Sequence, residues 1–430
     1  YDNTANVEGA VLTTDRFGFG QSAYAFDGVD DFLEAPASAQ LNSDYTTVSF
    51  WVKVDKLPAS GEAFLLSFGG WQERWKISVP GHGKPVWTTN HENGISDMDS
   101  GEGNELKEGV WTHVVMVHDG VKDKIFMNGV LAKDKDLVGK LNSTTRPLGM
   151  GYDPIGGSSF FEGSLDEVQI YNYALTDLEI GDLYTAQSVS PAVPSDLVAY
   201  YPFTGNTYDM SQYGNTAVSD GATPSMDRFG YGSNAYYFDG ASTMTAPNSP
   251  VLNSDFTTVS FWINVEELPA QGEYYLLSFG GWQERFKISL PQHGKPVWTT
   301  NHENGISDMD SGDGNALVPG TWTHVAMVHD GVNDKIYLNG LTVAEKLVAG
   351  KMNSTNHPFV IGYNAVDGGS NFKGMLDDIQ VYNLALTDQQ ILDLYGLQNT
   401  EPVIPDGMVA YYPFKGNTFD MTSYRNHAYN

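Results

Sequence analysis

The chain has 430 residues, no cysteine, and 53 Asp and Glu against 23 Lys and Arg, for a formal charge of −30. That balance argues against nucleic acid and anionic membrane surfaces, whose phosphates are bound by Lys and Arg, and leaves two readings, divalent cations as natural partners or solubility in salty surroundings. Disulfides are excluded, and no stretch approaches the roughly 20 apolar residues of a membrane-spanning helix; absence of cysteine does not fix the compartment.

From the N-terminal side, Tyr1-Asp2-Asn3-Thr4-Ala5 and Asp15-Arg16-Phe17-Gly18 come first. Thr46 to Val54, Trp111 to His118 and Lys124 to Met127 then alternate β-branched or aromatic residues with smaller ones, which predicts strands. Asp27-Gly28, Asn93-Gly94, Asp119-Gly120 and Asn128-Gly129 are turn signals between such runs. Short strands with turns at this spacing predict a sandwich or barrel. One helix per copy is expected: Thr176-Asp177 caps Leu178 to Tyr184 with Glu179 in the capping-box position, and Thr387-Asp388 does the same for Gln389 to Tyr395.

The stretch Gly69 to Gly101 returns at Gly280 to Gly312, differing only at Trp75/Phe286, Val79/Leu290 and Gly81/Gln292. Trp71 reappears as Trp282, an offset of 211 residues, so each copy has the size of a domain. The expected organisation is domain 1 over 1–184, a linker over 185–195, domain 2 over 196–395, a linker over 396–406, and a segment 407–430. That last segment repeats an opening strand. Leu197 to Phe203 (LVAYYPF) recurs as Met408 to Phe414 (MVAYYPF) and has no counterpart before Tyr1. Tyr1, Tyr213 and Tyr424 are therefore equivalent, and the chain reads as two full periods cut at one point inside the repeat. Since it also starts without methionine or leader, a processed product or a piece of something longer is expected.

Leu197 to Phe203, Asp227-Arg228-Phe229-Gly230, Phe238-Asp239-Gly240, Val259-Ser260-Phe261-Trp262, Gly320 to Val325, Asn339-Gly340 and Phe372 to Asn383 with Ala385-Leu386-Thr387 together resemble the LamG-like jelly-roll family. The resemblance spans both copies. It implies an all-β fold, two tandem concanavalin-like antiparallel β-sandwiches, and a non-catalytic module of secreted or cell-surface proteins that binds glycans or proteins or acts as a spacer. In that family the LVAYYPF strand opens a domain. Copy one is then expected to lack its opening strand. Either the tail 407–430 fills the first copy of the next molecule by donor-strand exchange, giving a head-to-tail chain, or it is the severed start of a third domain in a longer array.

The resemblance further implies a structural calcium where an Asp-x-Ser loop, the Phe-Asp-Gly turn and the Leu-Asp strand meet. Carried over, the ligands are Asp209, Asp239 and Asp377 in copy two, and Asp27 and Asp166 in copy one with Asp420 of a neighbour; the other reading is that Asp in the Asp-Gly turns serves only turn geometry. A second acidic loop, Asp97 to Asn104, resembles a calcium loop but lacks the EF-hand's closing glutamate, and a solvated turn is the other reading.

Aromatic and planar polar residues in the repeated stretch suit a glycan, whose ring faces stack while its hydroxyls need hydrogen-bond partners. The candidates are Trp71, Arg74, Trp87, Asn90 and His91, repeated as Trp282, Arg285, Trp298, Asn301 and His302; the other reading makes the tryptophans core and the rest a self-satisfied polar network. Catalysis finds little support. Asp166 and Glu167 are adjacent and point to opposite faces of a strand, His91-Glu92 lacks the second histidine of a zinc helix, and no Ser-His-Asp order is suggested. The expected function is an extracellular structural or adhesive tandem-repeat unit, with copies of itself as partners; the alternative is a carbohydrate-binding lectin.

Overall fold

A computed structural model of the chain describes residues 5–190, 194–364, 366–401 and 404–422. Tyr1 and Tyr424, the outer members of the register equivalence above, lie outside these. The chain divides into two compact units, Tyr1–Pro191 with Val403–Asn430, and Ala192–Pro402. Each is a sandwich of one seven-stranded and one eight-stranded antiparallel sheet.

In the first unit the larger sheet runs Val130–Asp136, Lys122–Met127, Trp111–His118, Thr46–Val54, Glu162–Tyr171, Ala23–Asp27, Val11–Thr13. The smaller runs Asn6–Glu8, Phe32–Ala35, Leu148–Met150, Glu62–Phe68, Trp75–Pro80, Val86–His91, Gly94–Asp99. The period-2 alternation turns Trp75, Ile77 and Val79 into the core against Val48, Phe50, Val114 and Met116. Outside the larger sheet, Ile180 of the Asp177–Ser188 helix packs on Val115, Val117 and Phe126. Both expected helices are present with reciprocal capping boxes, Thr176 with Glu179 and Thr387 with Gln390. They run past Tyr184 and Tyr395, to Ser188 and Gln398, into the expected linkers.

The Glu162–Tyr171 strand has a two-part neighbour. Residues 162–165 pair with Ala23–Asp27, and after a bulge residues 168–171 pair with Met408–Tyr412, Val168 opposite Tyr412 and Ile170 opposite Ala410. The second unit repeats this with its own preceding strand, Leu197–Tyr201: Ile379 lies opposite Tyr201 and Val381 opposite Ala199. Copy one receives its opening strand from the tail. Within this chain, residues 408–412 occupy that position, and Val409, Ala410, Tyr412 and Phe414 are buried in the first unit's core.

Candidate functional site

Two places concentrate chemistry: the seat of the opening strand and a polar groove on the smaller sheet. In the seat, the bulge is made by Glu167 at φ 50° and its equivalent Asp378 at φ 46°. It carries Asp166 and Glu167 to the same side of the sheet, contrary to the simple alternation expected of neighbours. Arg16 Nη1 binds Asp166 Oδ2 at 2.6 Å, and the Tyr411 hydroxyl donates to Glu167 Oε2 at 2.6 Å. The Arg16 guanidinium lies 4.6 Å from the Trp51 ring centroid and donates to the Gln187 carbonyl, tying the helix end to the sheet. Burial first, and then the Glu167 carboxylate, push the Asp166 carboxyl well above its ordinary value. In the second unit Arg228, Asp377, Asp378 and Tyr200 form the same cluster.

The groove, of about 640 Å³, opens on the outer side of the Trp75–Pro80 and Val86–His91 strands. Its floor is built. Lys76 is buried and pairs with Glu62, Ser78 Oγ donates to Glu62 Oε2 at 2.6 Å, and the Lys76 ammonium lies 4.9 Å from the Phe64 ring centroid. His82, Asp97, Asp99, Lys133 and Lys135 line its walls. The second unit keeps Glu273 paired with Lys287 but has Ala344 in place of Lys133. The sequence reading missed this site; its signal is a lysine and a serine two apart on an otherwise apolar strand, Lys76 and Ser78, repeated as Lys287 and Ser289.

The calcium ligand sets carried over from the resemblance do not converge. Asp27 lies opposite Glu162 and Asp239 opposite Lys373. Asp166 and Asp377 are four residues further along, about 13 Å at ~3.3 Å per residue, whereas ligands of one calcium lie within ~5 Å of each other. Asp166, Asp377, Asp209, Asp420 and Asp239 each have another employment. Asp166 and Asp377 pair with Arg16 and Arg228. Asp209 accepts from Tyr200 N, Ser211 N and Oγ, and Asn215 N at 2.6–2.8 Å. Asp420 accepts from Tyr411 N and Thr422 N, each at 3.0 Å, so both aspartates fold the following loop back on the opening strand. Asp239 is an exposed turn residue whose carboxyl is held down to about 2, chiefly by Ser242 Oγ and then by backbone amides. Among the described residues, the group of three carboxylates whose ligand atoms lie within 4.8 Å of one another is Asp27, Asp30 and Asp31, in the first unit.

Burial dissolves most of the expected glycan set. Trp87 and Trp298 are 0 % exposed and belong to the core, so neither offers a ring face. Arg74 is also 0 % exposed and donates to the carbonyls of Asn142 and Ser43, both at 2.7 Å; Arg285 does the same to Asn353 and Ser254, and burial lowers each guanidinium to about 10. Asn90 and Asn301 pin the short helices Gly70–Glu73 and Gly281–Glu284 through the carbonyls of Trp71 and Gln72, and of Trp282 and Gln283. His91 and His302 are buried and stack on His118 and His329. Trp71 and Trp282, at 45 % and 42 %, are the exposed members.

The family model described as "Concanavalin A-like lectin/glucanases superfamily", of laminin G type, matches residues 27–181 and again 238–392. The chain belongs to this superfamily. No curated protein matches it. Among solved structures, it is similar to domain 4 of AbnA, a GH43 extracellular arabinanase from Geobacillus stearothermophilus, in complex with arabinotriose: 23 % identity, 46 % of this chain and 98 % of that one, TM-score 0.39. It is also similar to domains LG4-5 of the mouse laminin α1 chain, at 13 % identity, 88 % and 96 % coverage and TM-score 0.30. The binding domain of Paraclostridial Mosquitocidal Protein 1 follows at 13 % identity, 94 % of each chain and TM-score 0.36. The laminin G-like fold is typically a binding module. In the two units here, Arg16 and Tyr411 hold Asp166 and Glu167, and Arg228 and Tyr200 hold Asp377 and Asp378.

Proposed function

We propose that the chain is a non-catalytic, extracellular structural and adhesive tandem module that assembles head-to-tail, the opening strand of one copy seated in the first unit of the next. Laminin G-like domains are commonly extracellular. What supports assembly is that the first unit is completed by residues 408–412, far downstream, in the register that Leu197–Tyr201 takes in the second unit. A strand supplied from outside a unit's own continuous chain is exchangeable in principle, and a contact between unlike surfaces that does not close builds a fibre. Refolding the full chain at high and low concentration, followed by light scattering and negative-stain microscopy, tests this. Chains at high concentration that shorten when excess 404–422 peptide is added are expected; a monomer at every concentration sinks the reading.

A second reading, carbohydrate binding, is favoured by the groove, where fixed carboxylates and ammonium groups over a buried floor match what hydroxyl-rich ligands require. Retention on immobilised glycans, lost on filling the groove with Lys133→Trp, is the expected result; retention unchanged by that substitution counts against the groove. The structural calcium is proposed for the first unit, at Asp27, Asp30 and Asp31.

A further inference from the structure

We propose that the two strand seats are unequal, and that the first unit's seat is the exchange site, selecting residues 408–415 of a second copy of this chain through Glu167 and Lys415. This rests on the head-to-tail reading above. Two independent features carry it: how the carboxylates are compensated, and how the strand is tethered.

In the second unit one guanidinium serves both carboxylates, Arg228 Nη1 with Asp377 at 2.6 Å and Nη2 with Asp378 at 2.9 Å. The Tyr200 hydroxyl then adds its hydrogen bond to Asp378 at 2.8 Å. Closing that seat buries a charge already paired. In the first unit a glutamate replaces Asp378, and Arg16 bonds Asp166 and the Gln187 carbonyl. The Glu167 side chain accepts from Tyr411, which belongs to the arriving strand. Closure therefore buries a carboxylate that has a hydroxyl but no guanidinium, beside the carboxyl of Asp166. Burying a charge with incomplete pairing weakens the closed state relative to the open one, where water hydrates it.

The arriving strand also brings a cation of its own. Lys415, which is Thr204 in the other copy, acts on Asp15 and Asp166 as a favourable positive charge. The 408–415 segment thus carries a cation toward the seat that has the surplus carboxylate, and Leu197 to Thr204 carries none toward the seat that does not need it.

Tethering works in the same direction. Leu197–Tyr201 continues by unbroken chain into its own unit, so that Thr207 and Ala217, hydrogen-bonded to each other, are also covalently joined, whereas their equivalents Thr418 and Ala5 lie at opposite ends of the chain and are held by hydrogen bonds alone. A strand that leaves there stays at high effective concentration and reseats. Met408–Tyr412 joins its own seat through the 396–406 segment that follows the helix of the other unit, so its return is slower and a competitor has time to enter.

The test uses the full chain and two fluorescent peptides, residues 404–422 and residues 194–215, with incorporation read by anisotropy. The 404–422 peptide is expected to incorporate about tenfold faster, equivalent to ~1.4 kcal/mol in barrier. Glu167→Asp, which copies the second unit, and Glu167→Gln, which removes the charge, are each expected to slow its entry several-fold. Lys415→Thr in the peptide is expected to weaken capture about threefold, with the difference shrinking at high salt. Equal rates for the two peptides, or both Glu167 variants folding normally and exchanging like the parent, overturn the inequality of the seats while head-to-tail assembly stands. If neither peptide enters and the chain never oligomerises, the parent reading falls and this inference with it.

Discussion

Phe414→Ala separates the two units energetically. Phe414 is 0 % exposed, meets Tyr24 edge-to-face at 5.1 Å and stacks on Tyr412 at 6.3 Å. Truncating a buried Phe to Ala typically costs about 3–5 kcal/mol, from lost transfer energy and the cavity left behind. For a unit of roughly 200 residues, each kcal/mol moves the melting temperature by about 2–4 °C, so the first unit is expected to melt about 6–20 °C lower. Phe203, which meets Tyr236 at 4.9 Å, is its equivalent in the second unit. Calorimetry on the parent, Phe414→Ala, Phe203→Ala and the double variant assigns the transitions. The expected pattern is that each single substitution lowers a different transition and the double lowers both additively. If Phe414→Ala leaves both transitions in place, or lowers the one that Phe203→Ala lowers, the tail does not close the first unit and the account of the seat is wrong.

Stability is also expected to fall on both sides of neutrality. Despite burial, which opposes it, the hydrogen bond and charge of Asp334 raise His329, so its contribution is complete below its unfolded value near 6.5 and is lost as pH rises through the folded value. Burial, followed by the neighbouring His329, lowers His302, so stability is lost as pH falls from about 6.5 through its folded value. Melting temperatures between pH 4 and 9 should show both limbs, and Asp334→Asn should remove the alkaline one; a flat profile in the parent refutes this. Trp87→Ala should cost about 3–5 kcal/mol in denaturant unfolding, whereas Trp71→Ala should change stability by less than ~0.5 kcal/mol; equal effects would contradict the burial that separates them. Lys133→Ala, which copies Ala344, should reduce any glycan retention by the first unit with an unchanged melting temperature. Calcium at about 100 times its dissociation constant should stabilise the first unit by about 2.7 kcal/mol, and Asp31→Ser, which copies Ser242, should abolish that rise.

Much of this protein was legible in local chemistry. The repeat needed only the comparison of two stretches, the strands followed from alternation, and the capping boxes from Thr176 with Glu179 and Thr387 with Gln390, because each depends on residues close in sequence. Family membership was legible for the same reason, as an ordered series of short motifs. What sequence could not supply was which groups meet across the sandwich. Trp87 and Arg74 look like ligand-binding residues in a string, yet both are sealed inside, one by the facing sheet and the other by carbonyls 31 and 68 residues away. Asp166 and Glu167 read as opposite-facing neighbours until a single left-handed residue reverses one of them. The partner of residues 408–412 was open between the next molecule and a missing domain. The repeated strand by itself specifies a seat of one shape, and only the packed sheet decides which seat it occupies, because backbone pairing and burial are settled by long-range contacts that no local pattern encodes.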